Sequence, residues 1–519
     1  MAKQIDIKKN AYFDSVTLMS LAGKVQQMDG VQEAIVSMAT AMNKELARDI
    51  GLGTDEVEQA TDNDLLLGVV ADNDEAMEAA FSRIQEAFEA KKSTAKTAQE
   101  KVYTQAKSAF FDHEDANLAI ISTAGEYAAR EANLALERGL HVMIFSDNVS
   151  VEDERSLKEK GKEKGLFVMG PDCGTAIVNG TGLCFANDVK KGPIGLVGAS
   201  GTGLQEVTVQ IDRLGEGVSQ AIGTGGRDLS EAIGGLMMLQ AFEALENDPA
   251  TEVIVLISKP PSPSVQEKIL KQVKASTKPV VISFIDGDEQ AVTEAGAVFG
   301  HNLADTAQKA VQLAKGEEVS TTSAGISLSG AWQEQIRQAQ AGYSPGQTAI
   351  RALYGGGTLC AEALSIMRQG GQKVTSNVAK RPEEKLHDLK KSEGHVLLDL
   401  GEDEFTVGKP HPMIDPATRN QRMLQEAGDK ETAVILLDME LGYGSHEDPV
   451  GAALPFIQQA FDKRPGLTVV AYVCGTETDP QGLQDSEERL RQANVLVANS
   501  NVEAVHLALE CAGVKEVSA

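Results

Sequence analysis

Six loops hold the residue types whose spacing could do chemistry. Gly198, Ala199, Ser200, Gly201, Thr202 and Gly203 lie between the apolar run PIGLV and the amphipathic run LQEVTVQIDRL. A glycine-rich turn that opens a helix leaves backbone N–H groups unpaired at the positive end of the helix dipole. The hydroxyls of Ser200 and Thr202 add donors, so a phosphate or carboxylate fits. No Lys follows the glycine, which excludes a P-loop. A tight turn with a capping serine is the alternative. Gly355, Gly356, Gly357 and Thr358 repeat the arrangement between TAIRALY and LCAEALSIM, and three consecutive glycines cost entropy that a plain turn seldom needs. Two such helix starts could clamp one anion between them.

The other four loops each carry a functional and a plain reading. In Gly170-Pro171-Asp172-Cys173-Gly174-Thr175, Asp172 can accept hydrogen bonds and Cys173 is a candidate nucleophile. No His is near in sequence to activate the thiol, so a structural cysteine is the alternative. In Gly223-Thr224-Gly225-Gly226-Arg227-Asp228, Arg227 can offer a guanidinium fork to carboxylate or phosphate, against an Arg227–Asp228 surface pair. Lys409-Pro410-His411-Pro412-Met413-Ile414-Asp415-Pro416 is stiffened by its prolines and carries a candidate base, His411, with Asp415 as carboxylate and Lys409 and Arg419 as cations. A structural loop with a satisfied His is the alternative. His446, Glu447 and Asp448 could ligate a metal, but a helix-capping loop is the preferred reading, and no metal site is assigned.

The elements that must position these loops alternate along the chain. Short β-branched runs and longer amphipathic stretches succeed one another, the pattern of βαβ units and parallel sheets. The 519 residues divide into α/β units at 1–105, 106–191, 192–317 and 346–519. Residues 318–345, rich in Ser, Thr, Gly and Gln and carrying the only Trp, Trp332, read as a linker. The expected fold class is α/β, with several Rossmann-like or flavodoxin-like parallel-sheet domains in succession.

Composition excludes other classes. The net charge of −28 argues against nucleic acid and against an anionic membrane surface as partner. No apolar run is long enough to span a bilayer, and the N-terminus has no signal-peptide h-region. The 5 cysteines are dispersed with no CxxC, so a reducing cytoplasm is the expected location.

GPDCGTAI, GPIGLVGASGTGLQE, AIGTGGRDLSE, VIVLIS and TKPVV are similar, in order and spacing, to the α subunit of succinyl-CoA synthetase. The unit from 346 on resembles the C-terminal domain of that enzyme's β subunit. With YFDSVTLMS, FSDNVSVEDE, GGGTLC, GKPHPMIDP and GSHEDPVG, nearly the whole chain resembles the FdrA/YahF-like family of acyl-CoA synthetase-like proteins. The resemblance implies that 106–191 is a CoA-binding-like Rossmann domain, 192–317 a succinyl-CoA synthetase-like flavodoxin-like domain, and 346–519 a CoA-ligase-like domain. It also implies two helix N-termini aimed at a phosphoryl group, matched by GASGTG and GGGTLCAEA.

The departures are specific. The stretch after KPVVISFI reads DGDEQAVTEAGAVFGHNLADT, so no His occupies the family's phosphohistidine loop, and His301 fits the start of the closing helix. Lys259 stands where an acidic residue is expected. The glycine-rich CoA loop is replaced by KKNAYFDSV, and the ATP-grasp half is absent. The reading is then a subunit of an acyl- or carbamoyl-transfer enzyme that binds phosphate or an acyl phosphate. Family association adds oxamate carbamoyltransferase-type chemistry, partner subunits and an oligomer. An acyl-CoA synthetase with coenzyme A as ligand and a non-catalytic metabolite-binding scaffold are the alternatives. Lys259, Arg227, His411 and Asp415 are the catalytic candidates. The expected ligand-binding set is Asp172, Cys173, Ser200, Gly201, Thr202, Gly203, Gly225, Gly226, Gly355, Gly356, Gly357 and Thr358.

Overall fold

The computed structural model describes residues 2–9, 11, 13, 15–26, 28–94, 102–319, 328, 330–407 and 409–514. By contact density the chain forms two units: residues 1–104 with 402–418, and residues 105–401 with 419–519.

The first unit contains β1 (Ala2–Lys8), α1 (Ser15–Gln26), β2 (Val31–Met38), α2 (Ala41–Asp49), α3 (Asp55–Gln59), β3 (Leu65–Ala71) and α4 (Asp74–Thr94). Its sheet has the order β1-β3-β2, and β3 is antiparallel to both neighbours. This departs from the parallel arrangement expected from the strand–helix alternation. The physical reason lies in β3. Its run LLLGVVA is buried throughout, because α1 and α4 cover one face through Leu18, Val25, Ile84 and Phe88. The other face packs on Ala47 and Val57 of α2 and α3. A strand buried on both faces reads as a continuous apolar run whether its neighbours are parallel or not.

The second unit begins with α5 (Ala106–Asp112) and a three-stranded parallel sheet, β4 (Leu118–Ile121), β5 (His141–Ile144) and β6 (Val168–Met169), carrying α6 (Gly125–Arg138) and α7 (Val151–Lys164). The hairpin β7 (Thr175–Val178) and β8 (Thr181–Cys184) leaves that sheet. It joins the next one through an antiparallel pairing, Ala221 opposite Ile177.

The seven-stranded sheet has the order β13-β12-β11-β9-β10-β7-β8. It is built from β9 (Lys191–Gly198), α8 (Gly201–Arg213), β10 (Val218–Gly223), α9 (Leu236–Asn247), β11 (Val253–Ser258), α10 (Pro263–Lys274), β12 (Val280–Phe284), α11 (Glu289–Glu294), β13 (Val298–Phe299) and α12 (Leu303–Ala314). Next comes α13 (Gly330–Gly342), inside the stretch read as a linker. Ile336 is buried and the Trp332 indole N–H donates to Glu503 Oε1 at 3.1 Å, so this part is a docked helix. Residues 320–327 and 329 of that stretch, and residues 95–101, lie outside the described residues.

A six-stranded parallel sheet of order β15-β16-β14-β17-β18-β19 completes the chain. Its elements are β14 (Ala349–Tyr354), α14 (Gly357–Gln369), β15 (Val374–Ser376), β16 (His395–Asp399), α16 (Ala417–Gly428), β17 (Thr432–Glu440), α17 (Pro449–Lys463), β18 (Thr468–Cys474), α18 (Leu483–Gln492), β19 (Leu496–Ala498) and α19 (Asn501–Cys511), while α15 (Asp403–Thr406) lies in the segment that belongs to the first unit. One apolar core runs through both large sheets, from Leu196, Leu204 and Val207 to Ile350, Leu359 and Leu507. Polar ties reinforce it: Asn187 Nδ2 donates to Asp479 Oδ2 at 2.7 Å, and the Arg213 guanidinium donates to the carbonyls of Val473 and Gly475.

Candidate functional site

Chain order places the two glycine-rich turns at equivalent points. β9 lies between β10 and β11, and β14 lies between β16 and β17. Each is the strand where the direction of the crossovers reverses, the position at which open α/β sheets bind ligands beyond their C-terminal strand ends. The turn after β9 starts α8, with Ser200 as N-cap accepting from the Gly203 N–H at 2.9 Å. The turn after β14 starts α14, with Gly356 at the cap.

The two helix starts touch. Ser200 Oγ lies 2.5 Å from Thr358 Oγ1, and the Thr358 N–H donates to Thr202 Oγ1 at 3.3 Å. Gly356 permits the approach, because a Cβ there would lie 3.0 Å from Thr202 Cγ2. Lys259 follows the C-terminal end of β11, half-buried, with no hydrogen bond or ion pair among the described residues. Its charge acts on the Cys360 thiol in the first turn of α14, opposing the burial that pushes that thiol up.

The α14 end already carries a carboxylate. Asp438, at the end of β17, accepts from the Gly355 and Gly356 N–H groups at 2.7 Å each. Arg419 lies 3.4 Å from the same carboxylate and donates to the Asp438 carbonyl. Glu440 stands beside this pair, and burial with the Asp438 charge holds its carboxyl well above the usual carboxylate range. The Gly355 and Gly356 amides, expected among the anion donors, are thus committed to an internal acceptor. The Gly201 and Thr202 amides, among the described residues, keep no acceptor.

The GPDCGT and GTGGRD loops interlock beside α8. A Cβ at Gly225, where φ is +86°, would lie 2.2 Å from the Pro171 carbonyl, and one at Gly223 would lie 2.5 Å from Cys173 Sγ. A Cβ at Gly201 would lie 3.4 Å from Thr175 Oγ1, so the first loop borders the α8 start. Asp172 sits in the left-handed region at φ 55°, and Gly226 packs toward its carboxylate, with Oδ2 3.3 Å from a Cβ there. Cys173 is buried, and burial pushes its thiol up to about 12. The candidate nucleophile is therefore a packed thiol.

Arg227 is drawn back onto α7. Its Nε donates to Glu154 Oε2 at 3.0 Å and its NH2 to the Val149 carbonyl at 2.7 Å. The alternative pair with Asp228 is not formed. Asp228 is buried, pairs with Lys158 at 2.8 Å and caps α9 through the Met237 and Met238 amides.

His411 and Asp415 fall in the first unit with residues 402–418, not in the C-terminal unit to which their sequence position assigned them. A Cβ at Gly23 of α1 would lie 3.0 Å from Asp415 Oδ2. His411 Nδ1 accepts from the Met413 N–H at 3.2 Å and Asp415 Oδ1 from the Ala417 N–H at 3.0 Å, the pattern of a self-bonded turn. His446 and Asp448 follow the capping alternative: Asp448 N-caps α17, pairs with Arg489 at 2.9 Å and donates its N–H to His446 Nδ1. Among the described residues no three His, Cys, Asp or Glu side chains are grouped to hold a metal. His301 lies just ahead of α12, 3.2 Å from Asp305 and 3.4 Å from Glu289. Sequence reasoning missed Asp438 and Glu440, although two acids inside the run AVILLDMELG must find partners once buried.

Three family models match the chain. A CoA-binding domain covers residues 189–285, a CoA-ligase domain 353–511, and an AllF heavy metal-associated domain 1–104. Heavy metals of that class are held by thiolate or imidazole. Residues 1–104 contain neither Cys nor His, so this domain does not fit such a metal. Over 190 residues the chain is 28% identical to the succinate–CoA ligase α subunit of Methanothermobacter thermautotrophicus, covering 36% of this chain and 62% of that one. The dinucleotide-forming acetyl-coenzyme A synthetase 1 of Candidatus Korarchaeum cryptofilum superimposes at a TM-score of 0.29 with 13% identity, over 76% of this chain and 82% of that one. The uncharacterized protein YahF of Escherichia coli (strain K12) is 46% identical over 514 residues, 98% of both chains. With that likeness end to end, and with CoA-binding and CoA-ligase domains on the two sheets whose helix starts meet, the chain belongs to the FdrA/YahF family of acyl-CoA synthetase-like proteins.

Proposed function

We propose that this chain is a subunit of an acyl- or carbamoyl-transfer enzyme, and that it binds phosphate or an acyl phosphate at the start of α8. The observation that carries the reading is that Lys259, with no partner among the described residues, follows β11, whose Ile257 carbonyl accepts from the Ala199 N–H at 3.0 Å just ahead of the two abutting helix N-termini. Asp438 serves the α14 start, so the positive charge left without an anion is that of Lys259 and the α8 start, and like charge is poorly placed unpaired. The Gly201 and Thr202 amides, the Ser200 and Thr202 hydroxyls and Lys259 form the donor set. Thr358 closes it from α14. Gly225 and Gly226 support it from the neighbouring loop, whose Arg227 is turned away onto Glu154.

The chemistry that fits is direct. A phosphate oxygen attacks the carbonyl carbon of a carbamoyl or acyl donor and the C–O bond forms. The bond from that carbon to the leaving nitrogen breaks, and the nitrogen takes a proton. Charge on the transferred carbonyl and on phosphate is stabilised by fixed N–H groups and Lys259, which cost no reorganisation during the step. Cys173 is buried with a raised thiol pKa. The loop after β12 holds no His. A covalent phosphoryl carrier is therefore not invoked. The small acyl or carbamoyl substrate and the partner subunits that deliver it belong to this proposal, as does assembly into an oligomer.

A second reading, acyl-CoA ligase, is favoured by the CoA-binding and CoA-ligase matches. Coenzyme A would enter as substrate, and one of its phosphates suits the same amides and Lys259. Purification with the proteins encoded beside the gene, followed by assay of phosphate-dependent cleavage of N-carbamoyl amides, separates the two. Turnover that needs phosphate and no coenzyme A is expected. Turnover that needs coenzyme A and is indifferent to added phosphate would replace the first reading by the second.

A further inference from the structure

Two buried acids lie outside the anion subsite, and the chemistry above leaves them unused. Glu206 and Glu362 stand at matching places, each five positions beyond the first residue of its helix, Gly201 of α8 and Gly357 of α14. Both side chains are buried. Glu206 accepts from the Tyr472 hydroxyl of β18 and faces the backbone N–H of Asn501, the first residue of α19, which favours its charged form. Glu362 accepts from the backbone N–H of Leu303, the first residue of α12, at 2.7 Å, and from Asn501 Nδ2 at 2.7 Å. Each carboxyl therefore faces an orphan amide at the start of the last helix of the opposite sheet, and Glu362 accepts from its amide directly.

The two ties cross. α12 packs on α8, and α19 packs on α14. α8 holds α19 through Glu206, and α19 lies on α14. α14 holds α12 through Glu362, and α12 lies on α8. Asn501 joins the ties, since it serves both acids while its Oδ1 accepts from the Tyr354 hydroxyl at 3.0 Å. Neither helix can withdraw its start from the other without breaking a buried cap.

We infer that Glu206 and Glu362 are positioning residues, crossed helix caps that keep the N-termini of α8 and α14 in contact and thereby set the anion affinity at the α8 start. The inference rests on the anion-site reading above, and the test separates the two. Glu206 faces Tyr472, Gln210 and Arg213, and burial holds its carboxyl above the usual range. Gln is then a close mimic, and Ala removes the cap.

The experiment uses the full chain with Ser200→Cys and Thr358→Cys introduced together, since those hydroxyls lie 2.5 Å apart. Disulfide formation between the introduced thiols under mild oxidant is followed by mass spectrometry, and affinity for inorganic phosphate is measured by calorimetry in proteins without the cysteine pair. Loss of one buried cap should slow cross-linking and weaken phosphate binding by about tenfold in Glu206→Ala and in Glu362→Ala, with Glu206→Gln within about twofold of the parent. Should Glu206→Ala not fold, Glu206→Asp, whose carboxyl is one methylene too short, carries the same expectation. If no parent protein binds phosphate but cross-linking keeps this order, the anion site fails and the positioning role stands. Folded Glu206→Ala and Glu362→Ala that cross-link as fast as Glu206→Gln would overturn the inference.

Discussion

The hydroxyls of Ser200 and Thr358 meet at 2.5 Å although 158 residues separate them. Each belongs to the first turn after the central strand of a different sheet. Two sheets built on the same plan have been brought together at their crossover-reversal points, so that one small volume collects the start of each helix.

That approach depends on Gly356. A Cβ there would lie 3.0 Å from Thr202 Cγ2 and 3.1 Å from both Asp438 Oδ2 and Glu440 Oε1. Gly356→Ala should force these groups apart and cost about 1–3 kcal/mol of stability, the usual range for overpacking. Urea unfolding of the variant checks it. An unchanged midpoint would show that the helix ends are free to part.

Asp438 is the internal counter-ion of the α14 start. Removing its carboxylate breaks the buried pair with Arg419, leaving Glu440 as the neighbouring acid, and strands two glycine amides. Asp438→Ala should lose about 3–5 kcal/mol, as other broken buried pairs do. Chemical denaturation reads the loss directly, and a change below about 1 kcal/mol would contradict the pairing.

Glu362 gives a pH signature. Burial lifts its carboxyl from 4.5 to about 7. The folded state then favours the neutral acid. Below pH 4.5 both states are protonated and nothing is lost; as pH rises toward 7 the unfolded chain releases its proton first and the fold is penalised. Relative to Glu362→Gln, the parent should lose up to about 3 kcal/mol between pH 4.5 and pH 8. Paired melting curves across that range test it, and a constant difference between the two proteins would refute the raised acid.

Cys173 should be inert. With its thiol pushed up to about 12 and its side chain buried, on the order of one molecule in ten thousand carries the thiolate at pH 8. Iodoacetamide should label it only after denaturation. Labelling of the Cys173 peptide in the native protein would return it to the candidate nucleophiles.

The local structure around the candidate site was partly legible in the residues. Gly201, Thr202 and Gly357 were readable as helix starts because glycine clusters between an apolar run and an amphipathic one have few other uses. The position of Lys259 at a strand end was readable because Pro260 and Pro261 follow it. The contact of Ser200 with Thr358 is tertiary and had no local signal beyond the repeated pattern. The commitment of Gly355 and Gly356 to Asp438 was overlooked, although acids in a buried strand announce a partner. Placement of His411 and Asp415 in the first unit could not be read, since a proline-rich excursion carries no mark of the surface it packs on. The antiparallel first sheet was hidden because LLLGVVA is apolar on both faces.

The central claim is that the start of α8, with Lys259, is an anion site. Calorimetric titration of inorganic phosphate into the full chain and into Lys259→Ala tests it most directly. A charge-assisted hydrogen bond contributes about 1.5–3 kcal/mol, so the variant should bind phosphate about tenfold or more weakly, with stability in the absence of ligand unchanged or slightly improved. Equal phosphate affinity in parent and variant would contradict the account.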